Sequence, residues 1–123
     1  MKIRIKNNTI RLRLTQSEVA CFADTGLVIG TAQFHPSMQF SYALQASSAT
    51  EALAASFERE RITVHVPKAI AQHWTSTEEV GFEAMMDNGT DEGLLLLVEK
   101  DFACMVDRPH EDEADNFPNP LAG

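Results

Sequence analysis

Four cationic side chains near the start of the chain form the first pattern that suggests a chemical role. Lys2 and Arg4 precede an Asn-Asn pair at residues 7–8, and Arg11 and Arg13 follow it, with apolar residues between the cations. Because asparagine tolerates the positive φ of a tight hairpin turn, this pattern predicts two antiparallel strands with all four cations on one face. Like charges directly opposite each other destabilise a sheet by up to about 1 kcal/mol per pair. We therefore expect an anionic group over this basic face, which consists of Lys2, Arg4, Arg11 and Arg13.

Three interpretations of the basic face are compatible with the sequence. The chain's own acidic segment, residues 107–115, would fold back over it. Residues 99–115 contain seven acids and two cations, whereas residues 1–14 contain five cations and no acid. Alternatively, the long cationic side chains extend into solvent. In the third interpretation, arginine side chains bind an anionic ligand, such as a phosphate-bearing metabolite or nucleic acid, or a protein partner.

A second group of candidate residues lies near the C-terminal end. Cys104, His110, Asp112 and Asp115 combine the soft and hard ligands that divalent metal ions accept. Their spacing matches no standard zinc motif, and a solvated acidic tail is the simpler interpretation. The cofactor prediction is therefore none, with a divalent metal as the alternative, and no catalytic residue is assigned.

The element that must position the basic residues occurs twice. Ile10–Phe22 is IRLRLTQSEVACF and Ile62–Trp74 is ITVHVPKAIAQHW, so an alternating strand leads into a short helical pattern at a constant offset of 52 residues. A capping box from Thr15 to Glu18 is expected to begin the first helix, and Gly26 to end it.

This repetition predicts an α+β fold made of two ββαββ units within a single domain, residues 1–123. The units span residues 2–45 and 53–98, and an acidic C-terminal tail spans 99–123. Neither unit can bury its apolar face alone, so we expect an internally duplicated, small antiparallel barrel-like or two-sheet core with two short helices. The second unit lacks the cations, since the residues 52 positions later are Ala54, Ser56, Thr63 and His65.

Composition narrows the possible partners. The net charge of −8 makes nucleic acid an unlikely partner class, because binding to phosphates requires positive charge. No apolar run is long enough to cross a membrane, and no signal peptide pattern is present, so we expect a cytoplasmic protein. Cys21 and Cys104 are expected to be free thiols in that compartment.

Two resemblances add to this interpretation. Residues 61–82, from Arg-Ile-Thr-Val-His-Val-Pro to Val-Gly-Phe, resemble the half-barrel of swapped-hairpin transition-state regulators, which implies a cradle-loop barrel of duplicated ββα units. Those regulators bind DNA through a basic surface on a dimer, and the net charge here departs from that pattern. The whole chain is similar to a family of short bacterial proteins known only as a domain of unknown function, which implies no activity. The segments carrying this similarity are IRLRLTQSEV at 10–19, LVEKDF at 97–102 with Cys104, and EDEAD at 111–115 followed by FPNP at 117–120.

These observations favour a non-enzymatic binding or interaction module. Its basic hairpin face would be covered by its own acidic tail or by an anionic ligand. The alternative is a metal-assisted enzyme that acts on a phosphorylated small molecule.

Overall fold

The computed structural model describes residues 1–102 and 114–118, and its secondary structure follows the predicted order ββαββ, ββαββ. The first unit contains β1 (Lys2–Lys6), β2 (Thr9–Leu14), α1 (Gln16–Thr25), β3 (Leu27–His35) and β4 (Met38–Ser47). The second contains β5 (Ala54–Glu58), β6 (Arg61–Pro67), α2 (Lys68–Ser76), β7 (Gly81–Met86) and β8 (Leu94–Lys100).

The strands form two four-stranded sheets, in the orders β1-β2-β8-β7 and β3-β4-β6-β5. Each sheet therefore combines the first hairpin of one unit with the second hairpin of the other. The two inner pairs, β2 with β8 and β4 with β6, are parallel, and the outer pairs are antiparallel. The two-sheet prediction is confirmed, whereas the barrel-like and wholly antiparallel predictions are wrong. The mixed sheets arise because the pairing exchanges hairpins between units instead of closing each unit on itself.

The first hairpins of the two units, β1–β2 and β5–β6, have the same strand register. Five residue pairs join β1 to β2, and each recurs 52 residues later between β5 and β6. Asn7 in the first turn and Arg59 in the second both have φ of 51°. The strand that adds to each hairpin is held in the same way, since Leu95 N donates to Asn8 O at 2.9 Å and Ser41 N donates to Glu60 O at 3.0 Å.

The helices differ at their starts and meet at their apolar faces. Thr15 caps α1 with the predicted capping box, and Gly26 ends it in the left-handed conformation at φ 76°. Helix α2 follows Pro67 and has no side-chain cap. Phe22 of α1 packs edge-on against Trp74 of α2, with ring centroids 6.2 Å apart. Equivalent residues of the two units are therefore in direct contact.

One buried apolar cluster combines residues of both sheets and both helices. Its largest fully buried members are Trp74, Phe22, Leu12, Leu14, Leu44, Leu96, Val64, Val66 and Val98. Burial of each such side chain contributes about 1.5–3 kcal/mol relative to exposure. The inward residues of β2 and β6 thus anchor each hairpin and leave its other face outward.

Two further predictions concern the cysteine side chains and membrane-spanning helices. Cys21 is an exposed free thiol, whereas Cys104 lies outside the described residues. Among residues 1–102 and 114–118, no helix is both long and apolar enough to span a bilayer.

Candidate functional site

The first hairpin brings the four predicted cations together. Lys2 is registered opposite Arg13, and Arg4 opposite Arg11, as the two-residue turn requires. Ile3, Leu12 and Ile10 point to the other side of the hairpin and contact the core. The alternation of apolar and charged residues therefore places Lys2, Arg4, Arg11 and Arg13 on one outward face.

Two carboxylates from the third strand of the sheet and its continuation partly neutralise this face. Strand β8 pairs with β2 in parallel and sets Glu99 beside Arg13. The Glu99 carboxylate lies 2.8 Å from Arg11 Nε and 4.0 Å from Arg13 Nε. The Asp101 carboxylate, which is buried, lies 3.0 Å from Lys2 Nζ. Three of the four cations thus have an acidic partner on β8 or at the residue that follows it.

Arg4 is the exception, together with a fifth cation, Lys6. Neither has an ion pair within residues 1–102 and 114–118, and both are exposed. With Thr9 and Arg11, they line an open groove of about 240 Å³ next to the hairpin turn. We call this the turn-side groove. It presents two guanidinium groups, an ammonium group and a hydroxyl group, and no carboxylate from residues 1–102 or 114–118 lines it.

The sequence interpretation missed Glu99, Asp101, Lys6 and Thr9 as parts of this site. It assigned Glu99 to the acidic tail, but β8 continues to Lys100 and makes Glu99 part of an inner strand. Its counter-charge role depends on the parallel pairing of β8 with β2, which no local pattern indicates. Lys6 and Thr9 were detectable, since they continue the outward alternation of β1 and β2.

The described part of the C-terminal segment lies at the start of α1. Asp115 accepts hydrogen bonds from Ser17 through the backbone amide, at 3.3 Å, and through the hydroxyl group. Gln16 N also donates to Asp115 O at 3.0 Å. The hydrogen bonds from Ser17 and Thr15 hold the pKa of Asp115 below its usual range. This carboxylate therefore adds to the N-terminal capping of α1.

Of the four predicted metal ligands, Asp115 lies within the described residues. Cys104, His110 and Asp112 lie outside the described residues, as do residues 107–113 of the segment predicted to cover the basic face. Asp115, the remaining predicted ligand, is engaged with α1. Within residues 1–102 and 114–118, no cluster of three or more histidine, cysteine, aspartate or glutamate side chains could hold a metal ion.

A buried lysine lies on the other side of the same strand end. Lys100 Nζ donates to Thr77 O at 2.7 Å and lies 5.8 Å from the ring centre of Trp74 and 5.6 Å from that of Phe117. Burial lowers the pKa of Lys100, and the charges of Glu79 and Glu78 oppose this effect. Lys100 joins α2 to the C-terminal segment and is separate from the basic face.

Almost the whole chain matches one protein family. The model of a family of unknown function, DUF7009, matches residues 1–121. The chain belongs to this family. No curated protein and no solved structure matches it significantly. The predicted membership of a family without assigned function is confirmed, and neither a bacterial origin nor the likeness to transition-state regulators is shown.

Proposed function

We propose that this DUF7009 chain is a binding module that receives an anionic group in the turn-side groove of its first hairpin. The observation that carries the proposal is the charge imbalance along one face. Glu99 and Asp101 pair with Arg11, Arg13 and Lys2, whereas Arg4 and Lys6 lack an acidic partner among the described residues.

The chemistry of the groove favours phosphate or carboxylate groups. Guanidinium groups donate two parallel hydrogen bonds to such anions, and hydrogen bonds to ionised groups are stronger than neutral ones. A volume of about 240 Å³ admits a small phosphorylated compound or a single acidic side chain of a partner. Arg4 and Arg11 oppose each other in register, so an anion between them would relieve their repulsion.

The second unit supports the proposal because the same hairpin forms there without an excess of cations. The equivalents of Arg4, Lys6, Thr9 and Arg11 are Ser56, Glu58, Arg61 and Thr63, and they line a larger groove of about 390 Å³ that also contains Glu60 and Arg59. Carboxylates and guanidinium groups are balanced there. The excess of positive charge in the first unit is therefore not needed to form the hairpin.

We also propose that the two units derive from one duplicated ββαββ segment. The constant offset, the repeated register and the contact between Phe22 and Trp74 support this origin.

Isothermal titration calorimetry with inorganic pyrophosphate tests the anion site. Arg4→Ser introduces the residue of the second unit, and Arg59→Ser removes one positive charge from the equivalent turn as a matched control. Because a hydrogen bond to a charged group contributes about 1.5–3 kcal/mol, Arg4→Ser should weaken binding about ten- to a hundredfold. Arg59→Ser should change the affinity much less.

Absence of pyrophosphate binding by the unmodified chain would reject the groove as a phosphate site. An equal loss in both variants would indicate a general effect of net charge. The pair Arg11→Thr and Arg13→His is a less specific test, because it also releases Glu99 from its partners.

A further inference from the structure

Strand β3 forms an edge of its sheet that lacks the charges guarding the other edges. The four edge strands are β1, β7, β3 and β5. Strand β1 carries three cations, β7 carries Glu83, and β5 is only five residues long and ends in Glu58. Strand β3, LVIGTAQFH, has nine residues and none with a formal charge at neutral pH, apart from the titratable His35 at its end.

This difference matters because an edge strand presents unpaired backbone amide and carbonyl groups. Charged side chains, shortness and bulges are the usual ways to prevent such an edge from pairing with another chain. Residues Leu27–Gln33 pair with β4 in unbroken register, and the irregularity comes only between Gln33 and His35. Seven residues thus provide a regular edge of about 24 Å, at about 3.4 Å per residue. No described strand pairs with its outer side, although at its first residue the Thr25 hydroxyl group accepts from Leu27 N at 3.3 Å and donates to Leu27 O at 3.1 Å.

We propose that β3 is a self-association surface, and that a second copy of this chain pairs with it to form a continuous sheet across a twofold axis. In an antiparallel arrangement about a point near Gly30, the same uncharged segment lies on both sides of the axis, as an isologous interface requires. The chain carries a net charge of −8. Two copies that associate through the uncharged strand β3 therefore keep their negative charges apart.

The exposed apolar side chains on and beside β3 approach the area that such a contact requires. Leu27, Ile29 and Phe34 of β3 and Met38 at the start of β4 are 37%, 44%, 72% and 57% exposed. Together they expose roughly 400 Å² of apolar surface, if the roughly 150–250 Å² of aromatic side chains is taken at its lower end for leucine, isoleucine and methionine. A standard interface buries about 800 Å² per partner, of which somewhat more than half is apolar. The edge and its flanking side chains approach this requirement.

The second unit supplies the substitution that tests the proposal. Ile29 pairs with Ala43 as Glu83 pairs with Leu97, so Glu83 occupies on β7 the position of Ile29 on β3. Ile29→Glu therefore introduces at β3 the charge that β7 naturally carries. The control is Met85→Glu, which adds the same charge at a 60% exposed position on β7.

Sedimentation velocity of the full chain over a range of concentrations measures the outcome. We expect a dimer for the unmodified chain, a monomer for Ile29→Glu and a dimer for Met85→Glu, with the fold of each verified by circular dichroism. If Ile29→Glu fails to fold, Thr31→Lys at an exposed β3 position serves the same purpose. A monomeric unmodified chain, or a dimer that Met85→Glu dissociates and the β3 variants do not, would overturn the proposal.

Discussion

The first hairpins of the two units have the same path and different chemistry. Strands β1–β2 and β5–β6 share five registered pairs, a turn residue at φ 51° and the same hydrogen bond to the adjoining strand. Yet Arg4 opposite Arg11 corresponds to Ser56 opposite Thr63. The backbone therefore accepts either set of outward side chains. The path of the backbone alone therefore does not require the cations of the first hairpin.

The adjoining strands extend this contrast. Glu99 of β8 lies beside Arg13, whereas Gln45 of β4 lies beside His65 at the corresponding position. The carboxylate occurs only where the cations occur. The cations of the first unit and the carboxylate of the second thus meet in one sheet, and none of the described carboxylates lines the turn-side groove.

The largest expected effect compares the aromatic residues at the contact between the units. Trp74→Ala should lower the free energy of unfolding by about 3–5 kcal/mol, as is typical for truncation of a buried aromatic residue. Phe22→Ala should cost less, because Trp74 also packs against Phe82 at 5.4 Å and donates from Nε1 to Val80 O at 3.2 Å. Urea unfolding measures both values. A larger cost at Phe22 would show that the first unit contributes more to the core than the second.

A smaller effect on stability is expected at Glu99, the carboxylate that pairs with Arg11 and Arg13. Glu99→Gln should destabilise the chain by about 1 kcal/mol, since its ion pairs are about one third exposed and partly screened by solvent. The same variant should bind pyrophosphate more tightly, because a competing carboxylate is removed from Arg11. Gln45→Glu, the reverse change in the second unit, should alter stability by less than about 0.5 kcal/mol. Weaker pyrophosphate binding by Glu99→Gln would contradict the assignment of Glu99 as a competitor.

Removal of one cation from the basic face should stabilise the folded chain, because it relieves repulsion between like charges. Arg4→Ser should raise the free energy of unfolding by up to about 1 kcal/mol at low ionic strength, because one opposed pair of like charges is removed. Added salt should reduce the gain, since it screens exposed charges. Arg59→Ser, measured by the same urea titrations, is expected to give no such gain. A destabilised Arg4→Ser variant would mean that Arg4 has a structural role.

The smallest effect compares the two helix starts under acid conditions. Burial would raise the pKa of Glu18, but hydrogen bonds from the N-terminal ammonium group and Thr15 hold it below its usual value. The pKa of Asp115 is also lowered, by hydrogen bonds from Ser17 and Thr15. Such carboxylates stabilise the folded state above their unfolded pKa, about 3.9 for aspartate and 4.3 for glutamate, and this contribution is lost as pH falls through the folded pKa.

Asp115→Asn should therefore flatten the loss of stability with acid, as followed by circular dichroism during acid titration. The variant and the unmodified chain should converge below the folded pKa of Asp115. Helix α2 follows Pro67 without a side-chain cap among the described residues, and its own first turn contains no acidic residue. Persistence of the difference at the lowest pH would show that Asp115 acts through packing and not through its charge.

Local features of the fold were predictable because they depend on neighbouring residues. The Asn7-Asn8 turn sets the register of Lys2 with Arg13, and the Thr15–Glu18 capping box begins α1. The repeat itself was visible in the alternation of β2 and β6. These features rely on turn geometry, side-chain alternation and capping hydrogen bonds, all of which act within a few residues.

The sequence by itself determined that the chain has two like units and that four cations share one hairpin face. Only the tertiary structure decided that the units exchange hairpins, so that β8 lies parallel to β2 and brings Glu99 to Arg11 and Arg13. It also decided that Asp115 lies at the start of α1. The physical reason is that alternation specifies which face of a strand is buried, whereas the choice of neighbouring strand depends on how the two units close around a shared core.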